Sequence, residues 1–547
     1  MTSSIHSDPD IKKTDVEHRE VASMGAGAPR AYTEDEERAI AFRLAREVDP
    51  GLNFLSWRGL QFIFFCLVIC MCSGDNGFDG TVMGSVNSMV SFQKYFGLAT
   101  SGASKTGIVF GIYTVGQVTA FFPASTLPDK IGRRWTMFLG NLVLCMGALI
   151  AGFAKNMPML LVGRFFVGVG CSTAAAAAKT YLSEITPASS RGFWMGLQNS
   201  FYYVGQLLAS GLTIPLGRVT TDWSWRTPLL LQMMLAVINV AFVLLLPESP
   251  RWLYAHGHKE QAQKVLAQYH SRDNDANSPL IKLEMAEFEE SIALDGADKR
   301  WWDFRPIFRD RAGRYRFGLC VIVSVWGQLS GNGLITYFLP TLLKLAGITS
   351  PDRQRVLNFV NSVTSFIGAL TGTALVDHVG RRFLMLFSSV SCMSGMFIVA
   401  GLLSSAGQKS TMRANAGITF IYLFMVFFSF GWTPLQSLYP AEVLAFEVRA
   451  KGLALQSWVT SCVSLINTFG LPSALAALDW KVYLIFGCWD VVGIIVIYLF
   501  VVETKQLSLE ELDEIFESSN PKQTSFALAR AAKERVRQQK AEEASGA

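Results

Sequence analysis

The sequence predicts an all-α integral membrane protein, with twelve helical spans in two six-helix halves joined by a polar helical linker. Three observations predict it. The 547-residue chain is 50% hydrophobic and only 17% charged, and its mean hydropathy is +0.31, too apolar for a soluble domain. Apolar runs long enough to cross a bilayer recur along its length. Finally, three charged signatures appear twice, in the same order and at nearly one period.

The first set of runs lies near 60–85, 105–126, 135–154, 158–181, 193–216 and 227–246. The second lies near 317–345, 355–375, 383–403, 416–438, 450–471 and 481–502. A β-barrel would alternate in polarity instead of showing such unbroken runs. Asp129-Lys-Ile-Gly-Arg-Arg134 follows the second run, and Asp377-His-Val-Gly-Arg-Arg382 follows the eighth, 248 residues later. Glu184 and Arg191 follow the fourth; Glu442 and Arg449 follow the tenth, 258 residues on. Pro247-Glu-Ser-Pro-Arg251 closes the sixth, and Glu503-Thr-Lys505 closes the twelfth, 255 residues from Glu248. The expected division is therefore a tail over 1–56, one half over 57–246, a linker over 247–316, a second half over 317–502 and a tail over 503–547. Parallel repeats of this kind are a transporter architecture, with the site at mid-depth between the halves.

Lys and Arg cluster at Lys130/Arg133/Arg134, Arg191, 251–316, Arg381/Arg382 and Arg449/Lys451, all on one side if the spans alternate. The positive-inside rule places that side, the linker and both termini in the cytoplasm. The net charge of +5 is small and points to no nucleic-acid partner. All nine Cys lie in the runs without zinc spacing, as small packing residues. Residues 1–56 are polar and carry no signal peptide. Within that tail, Thr33-Glu-Asp-Glu36 reads as a capping box opening an amphipathic stretch to Val48. Lys259–His270 and Leu280–Ile292 read as linker helices, and Ser508 opens a short helix that Pro521 ends.

Within the first run, Gly74 to Ser85 reads GDNGFDGTVMGS, so the span is completed only by passing Asp75, Asn76 and Asp79. A carboxylate there costs ~2.5–3.5 kcal/mol on insertion scales and marks an ion or substrate path. Asp75 lies four residues before Asp79, on the same helical face. It either titrates with Asp79 as a pair or points to a solvated vestibule. Uncharged amides recur in the runs: Gln117, Gln198, Asn199, Gln206, Gln328, Asn332, Asn361, Gln436, Gln456 and Asn467. An amide offers donors and an acceptor and suits a neutral polyol, although each could equally serve an interhelical hydrogen bond. Phe201, Tyr202, Tyr203, Tyr337 and Trp432 could face sugar C–H surfaces, or simply pack.

The Gly-Arg-Arg loops need a tight turn, which Gly permits. Their guanidinium groups can fork onto carboxylates at neighbouring helix ends. Glu184, Glu248, Glu442 and Glu503 are the natural acceptors, with Arg191, Arg251 and Arg449 as further donors. A lattice that forms in one state and breaks in another is a gate. Ordinary positive-inside anchoring would not require the whole set twice.

In combination, Gly77-Phe-Asp-Gly80, Asp129–Arg134, Gly163-Arg164, Glu184…Arg191-Gly192, Pro247–Leu253, Asp377–Arg382 and Glu503-Thr-Lys505 resemble the sugar porters of the major facilitator superfamily, over about 55–515. Gln328-Leu-Ser-Gly-Asn-Gly333 and Leu438-Tyr-Pro-Ala-Glu442 look more like its fungal lactose-permease and cellodextrin branch. The resemblance implies the major facilitator fold, with Asp79 as proton-coupling acid and Arg164 as its partner. It places Gln198, Asn199, Gln206, Gln328, Asn332 and Gln436 on the sugar. It also assigns the cytoplasmic gate to Asp129, Arg133, Arg134, Glu184, Arg191, Glu248, Arg251, Asp377, Arg381, Arg382, Glu442 and Arg449. Departures leave the sugar's identity open: Asn199 stands where Gln is common, Ser437 and Ser461 replace stacking Trp residues, and Val502 replaces a Pro.

The expected function is secondary transport of a mono- or disaccharide across the plasma membrane by alternating access, driven by protons. Facilitated diffusion, or a non-transporting sensor signalling through its tails, are the alternatives. No catalytic set, metal cluster or cofactor loop appears, and the six His all lie outside the runs.

Overall fold

A computed structural model describes residues 44–528, apart from 46–47, 99–101, 188–189, 296–303, 346–347, 349, 405–410, 446–447, 506–511, 513–514 and 519. The capping box at Thr33 and the helix start at Ser508 lie outside the described residues, as do the side chains of Tyr337 and Asp377. Every regular element among the described residues is helical.

Spans 1 to 6 are Trp57–Asn87, Gly102–Thr119 continued by Phe121–Ile131, Arg133–Gly152, Met157–Ile185, Arg191–Leu216, and Trp223–Leu231 continued by Met234–Phe242. Spans 7 to 12 are Arg311–Leu329 continued by Asn332–Leu345, Pro351–Val379, Arg381–Ser404, Thr411–Val443, Arg449–Leu478 and Lys481–Phe500. Eleven described helices are long and apolar enough to cross a bilayer by length and composition alone. Arg191–Leu216 is long enough but falls short in hydropathy, because Asn199, Tyr202, Tyr203, Gln206 and Ser210 interrupt it.

Helix starts follow local chemistry. The Ser56 hydroxyl accepts from the Gly59 amide at 3.1 Å to open span 1, and Asn156 accepts from Met159 at 3.0 Å to open span 4. Span 7 breaks where Gly331 takes φ 92°, and it starts six residues before the expected position, at Arg311.

The pairing of spans repeats. Span 1 packs on 5 as 7 packs on 11; 2 packs on 4 as 8 packs on 10; 3 packs on 4 and 6 as 9 packs on 10 and 12. Contact between the halves runs through spans 2 and 11, 5 and 8, and 1 and 7. Spans 1 and 5 approach closely because Gly77 backs onto the Tyr202 carbonyl and Gly205 onto that of Gly74, leaving no space for a side chain. Leu142, Phe166, Phe387 and Leu499 stay exposed on spans 3, 4, 9 and 12, as a lipid-facing surface requires.

Between the halves lie the helices Pro250–Ala255, Lys259–His270, Pro279–Asp295 and Arg305–Arg309. They stand on the side of the bundle that carries the Gly-Arg-Arg loops, called here the basic side.

Candidate functional site

Asp79 and Arg164 form an ion pair between spans 1 and 4, each only 2% exposed. The Arg164 guanidinium also lies 5.1 Å from the centre of the Tyr113 ring on span 2. From there a polar chain continues: the Tyr113 hydroxyl donates to Asn76 Oδ1 at 3.3 Å, and Gln117 Nε2 donates to Asn76 Oδ1 at 3.2 Å. A small cavity touches the pair, lined by Gly80, Met83, Phe110, Tyr113, Thr114 and Thr468. At about 10 Å³ for the centre of a water-sized sphere, it has room for one water and not for a sugar.

Asp75 is 3% exposed, so the solvated-vestibule alternative fails. It faces the backbone of Ala236 on span 6, and neither carboxylate oxygen completes a hydrogen bond.

None of the six candidate sugar amides lines that small cavity. Instead, they stand along spans 5, 7 and 10. Asn199 Nδ2 donates to the Thr433 carbonyl at 2.8 Å, tying span 5 to span 10 across the halves. Gln436 Nε2 donates to the Gly327 carbonyl at 3.3 Å, and Asn467 donates to the carbonyl of Gln328. Gln198 and Gln206 are buried, and Gln206 Oε1 and Asn332 Oδ1 have no hydrogen-bond partner. Of the aromatic candidates, Tyr203 bonds across to Ser429 and Thr433, each at 2.8 Å. Trp432 takes the packing alternative: fully buried, it donates to Ser389 on span 9 at 3.2 Å, because its helical phase turns it into the second half's core.

On the basic side the two Arg of each loop divide the work. Arg133 pairs with Glu184 at 3.0 Å and with Asp129 at 3.0 Å. Its counterpart Arg381 forks onto Glu442, Nη2 at 2.7 Å and Nε at 3.2 Å. The second Arg does not fork onto a carboxylate, contrary to expectation. Arg134 donates to the Leu246 carbonyl at 2.8 Å, and Arg382 to the Tyr498 carbonyl at 2.6 Å. Glu248 instead accepts the amides of Arg133 and Arg134, at 3.0 and 3.3 Å, and Glu503 those of Arg381 and Arg382, at 2.9 and 3.1 Å. Each thus caps the start of a span, where helical amides lack intrahelical acceptors. Gly132 and Gly380 sit at φ 97° and 105° against these carboxylates, so a side chain there would displace the cap.

A hydroxyl completes each set: Ser249 donates to Glu184, and Thr504 to Glu442 at 2.6 Å. Tyr181 donates to the Pro247 carbonyl at 2.6 Å and Tyr439 to that of Val502 at 3.0 Å, so the Pro-to-Val departure leaves this bond intact. Arg449 donates to the Leu444 carbonyl at 3.3 Å. Arg191 opens span 5, and Arg251 sits in the short helix after Pro250. The bonds described for these latches each join groups of one half. Burial raises the Glu248 carboxyl above its ordinary range, opposed by the amides it accepts.

The linker is docked by His270, 4% exposed, which sets Nδ1 at 2.7 Å from Glu284 and Nε2 at 3.0 Å from the Ile185 carbonyl beside Glu184. Burial opposes its charge, but the Glu284 carboxylate and that carbonyl outweigh burial and raise its pKa; Arg191 works against them.

Asn361, one of the amides of the apolar runs, is fully buried with neither amide atom bonded; sequence reasoning passed over Asp490, 1% exposed in span 12. The rule that singled out Asp79, an acid inside an apolar run, applies to Asp490 without change.

The sugar (and other) transporter family matches residues 65–516. Sugar transport protein 1 of Arabidopsis thaliana is 29% identical over 484 residues, covering 83% of this chain and 90% of that protein. The high-affinity glucose transporter of Kluyveromyces lactis is 25% identical over 476 residues, covering 83% and 85%. Among solved structures, the xylose transporter XylE from E. coli, partially occluded and inward open, superposes with a TM-score of 0.68 at 19% identity, covering 82% of this chain and all of that one. That likeness establishes the same fold. With the family matched across most of its length, the duplicated latches and the buried Asp79–Arg164 pair in place, the chain belongs to the sugar (and other) transporter family.

Proposed function

We propose that this chain imports a sugar across the plasma membrane by alternating access, with proton binding at Asp79 driving the cycle. The observation that carries this reading is the Asp79–Arg164 pair, an acid and a cation buried together between spans 1 and 4 at a cavity between the halves. Protonating Asp79 releases Arg164, and the halves then rock about the site. Releasing the proton restores the pair. A buried pair broken on one side alone costs about 3–5 kcal/mol, enough to bias a two-state carrier.

Gln198, Asn199, Gln206, Gln328, Asn332 and Gln436 bind the sugar hydroxyls in this reading. Asn361 joins them, since its buried amide has no bond of its own. In the closed arrangement, Asn199 and Gln436 occupy backbone carbonyls that sugar hydroxyls would replace. The gate acts through Asp129, Arg133, Glu184 and Arg381, Glu442, with Asp377 in the equivalent place to Asp129. Because these bonds stay inside each half, they stiffen each half for rigid-body motion instead of bolting one half to the other. Both termini and the linker face the cytoplasm, as the basic loops support. Gln328–Gly333 and Leu438–Glu442 support a place near the fungal lactose-permease and cellodextrin branch.

The test is uptake in proteoliposomes against a panel of mono- and disaccharides, with and without an inward proton gradient. Accumulation above equilibrium that collapses with the gradient is expected. Equilibration at the same level in both conditions would make the protein a uniporter, and no uptake of any sugar would defeat the reading.

A further inference from the structure

We infer that Asp490 is a second proton-binding carboxylate of this carrier, holding its proton against the break in span 7. Asp490 lies midway along span 12, 1% exposed, with Oδ2 wholly buried and unpartnered. The Ser330 side chain stands beside its carboxyl. Ser330 ends the first segment of span 7 and precedes Gly331.

The break lies beside the carboxyl: Phe486, one turn before Asp490, packs on Gly331, and Trp326 of span 7 packs on Gly493, one turn after it. A carboxyl with an oxygen wholly buried and unpartnered, and with no cation beside it, is held in its neutral, protonated form. Cys392 faces it from span 9, and Trp326 stacks on Trp489 at 5.2 Å beside it. Tyr483, on the same helix two turns away, keeps a buried, unpartnered hydroxyl. No cation or second carboxylate faces Asp490 among the described residues.

The break carries Gln328 and Asn332, two of the proposed sugar amides, and Asn467 of span 11 fastens it through the Gln328 carbonyl. A bare carboxylate cannot stay in this dry setting. Movement of the break that admits water and loss of the proton from Asp490 to that water are therefore one event. The proton returns from water when the break closes. Proton binding is thus felt by the sugar-bearing segment of the second half, independently of Asp79.

The test is infrared spectroscopy of the full-length protein in lipid nanodiscs at neutral pH, with no sugar present. Asp490→Asn should lose one C=O band of a neutral carboxylic acid, and Ser330→Ala should shift that same band. An unchanged band in Asp490→Asn overturns the proposal. If that variant cannot be purified, Ser330→Ala decides: a shifted band supports the assignment and an unmoved one overturns it. The coupling half rests on the transport reading and is tested separately by sugar counterflow against pH. Asp490→Asn should keep counterflow but flatten its pH profile, and a profile matching wild type overturns that half. Failure of the wild-type protein to carry any sugar would strike the transport reading and leave the infrared result standing.

Discussion

The two halves finish their ends alike and fill their centres differently. On the basic side, each sets a Gly-Arg-Arg turn against two glutamates. One takes the first guanidinium, and the other caps the helix that the turn begins. At mid-membrane the first half pairs its acid Asp79 with Arg164, whereas the second buries Asp490 with no cation among the described residues. Helix ends need partners wherever they occur, so the latch recurs. A buried charge is needed only where function puts it, so the centres diverge.

Breaking the asymmetry should have the largest effect. Asp79→Asn should abolish gradient-driven accumulation yet retain sugar counterflow, measured in proteoliposomes; full accumulation by this variant would refute the coupling role. Asp75→Asn should shift the pH optimum without abolishing accumulation, because Asp75 faces span 6 and not Arg164.

Breaking the symmetry comes next. Arg381→Ala removes a bidentate pair, and Arg133→Ala removes contacts to Glu184 and Asp129. Hydrogen bonds to charged groups contribute about 1.5–3 kcal/mol, so turnover should fall at least about tenfold in both at unchanged surface expression. Arg134→Lys and Arg382→Lys, which bond backbone carbonyls, should cost less. Equal losses at all four positions would contradict the division of labour.

Single amides should do less again. Gln206→Ala and Asn332→Ala should raise the apparent Michaelis constant with little change in maximal rate, for a loss of ~1–3 kcal/mol when a buried polar partner is left alone. Unchanged constants for every accepted sugar would move the site elsewhere.

The smallest effect is expected at the linker. The His270 pKa is raised, so its contribution to docking is complete below the ordinary value of about 6.5 and is lost as pH rises through the raised value. The protection of Lys259–His270 against hydrogen exchange, taken relative to an unfolded chain at the same pH, should therefore fall on alkalinisation, and His270→Gln should remove that pH dependence. Identical pH responses in both proteins would count against the clamp.

Much of this was legible in the sequence, for a physical reason. In so apolar a chain every charge is conspicuous, and charges recurring at one period mark both the fold and its latches. What the two Arg of each loop do was not legible. Only the three-dimensional position of Glu248 and Glu503, over helix starts from more than a hundred residues away, makes one Arg an ion-pair donor and the other a carbonyl donor. Trp432 could not be oriented either, since an aromatic in a uniformly apolar span carries no phase signal. Asp490 is the instructive miss. It sits in no motif, and its meaning depends on the break in span 7 that packs beside it, some 160 positions earlier.

The contact between the halves has a mechanical consequence. Phe121 of span 2 meets Trp458 of span 11 on the basic side, with ring centres 5.7 Å apart. Toward the opposite side, Asn358 of span 8 donates to Ser85 of span 1 at 3.3 Å, and Phe469 of span 11 lies against Gly107. Spans 2 and 11 thus touch near both ends, so opening toward either side parts one of these contacts and can keep the other as a pivot. Joining the basic-side pair covalently should therefore leave only one opening: a disulfide between Phe121→Cys and Trp458→Cys should stop net uptake, and reducing it should restore uptake.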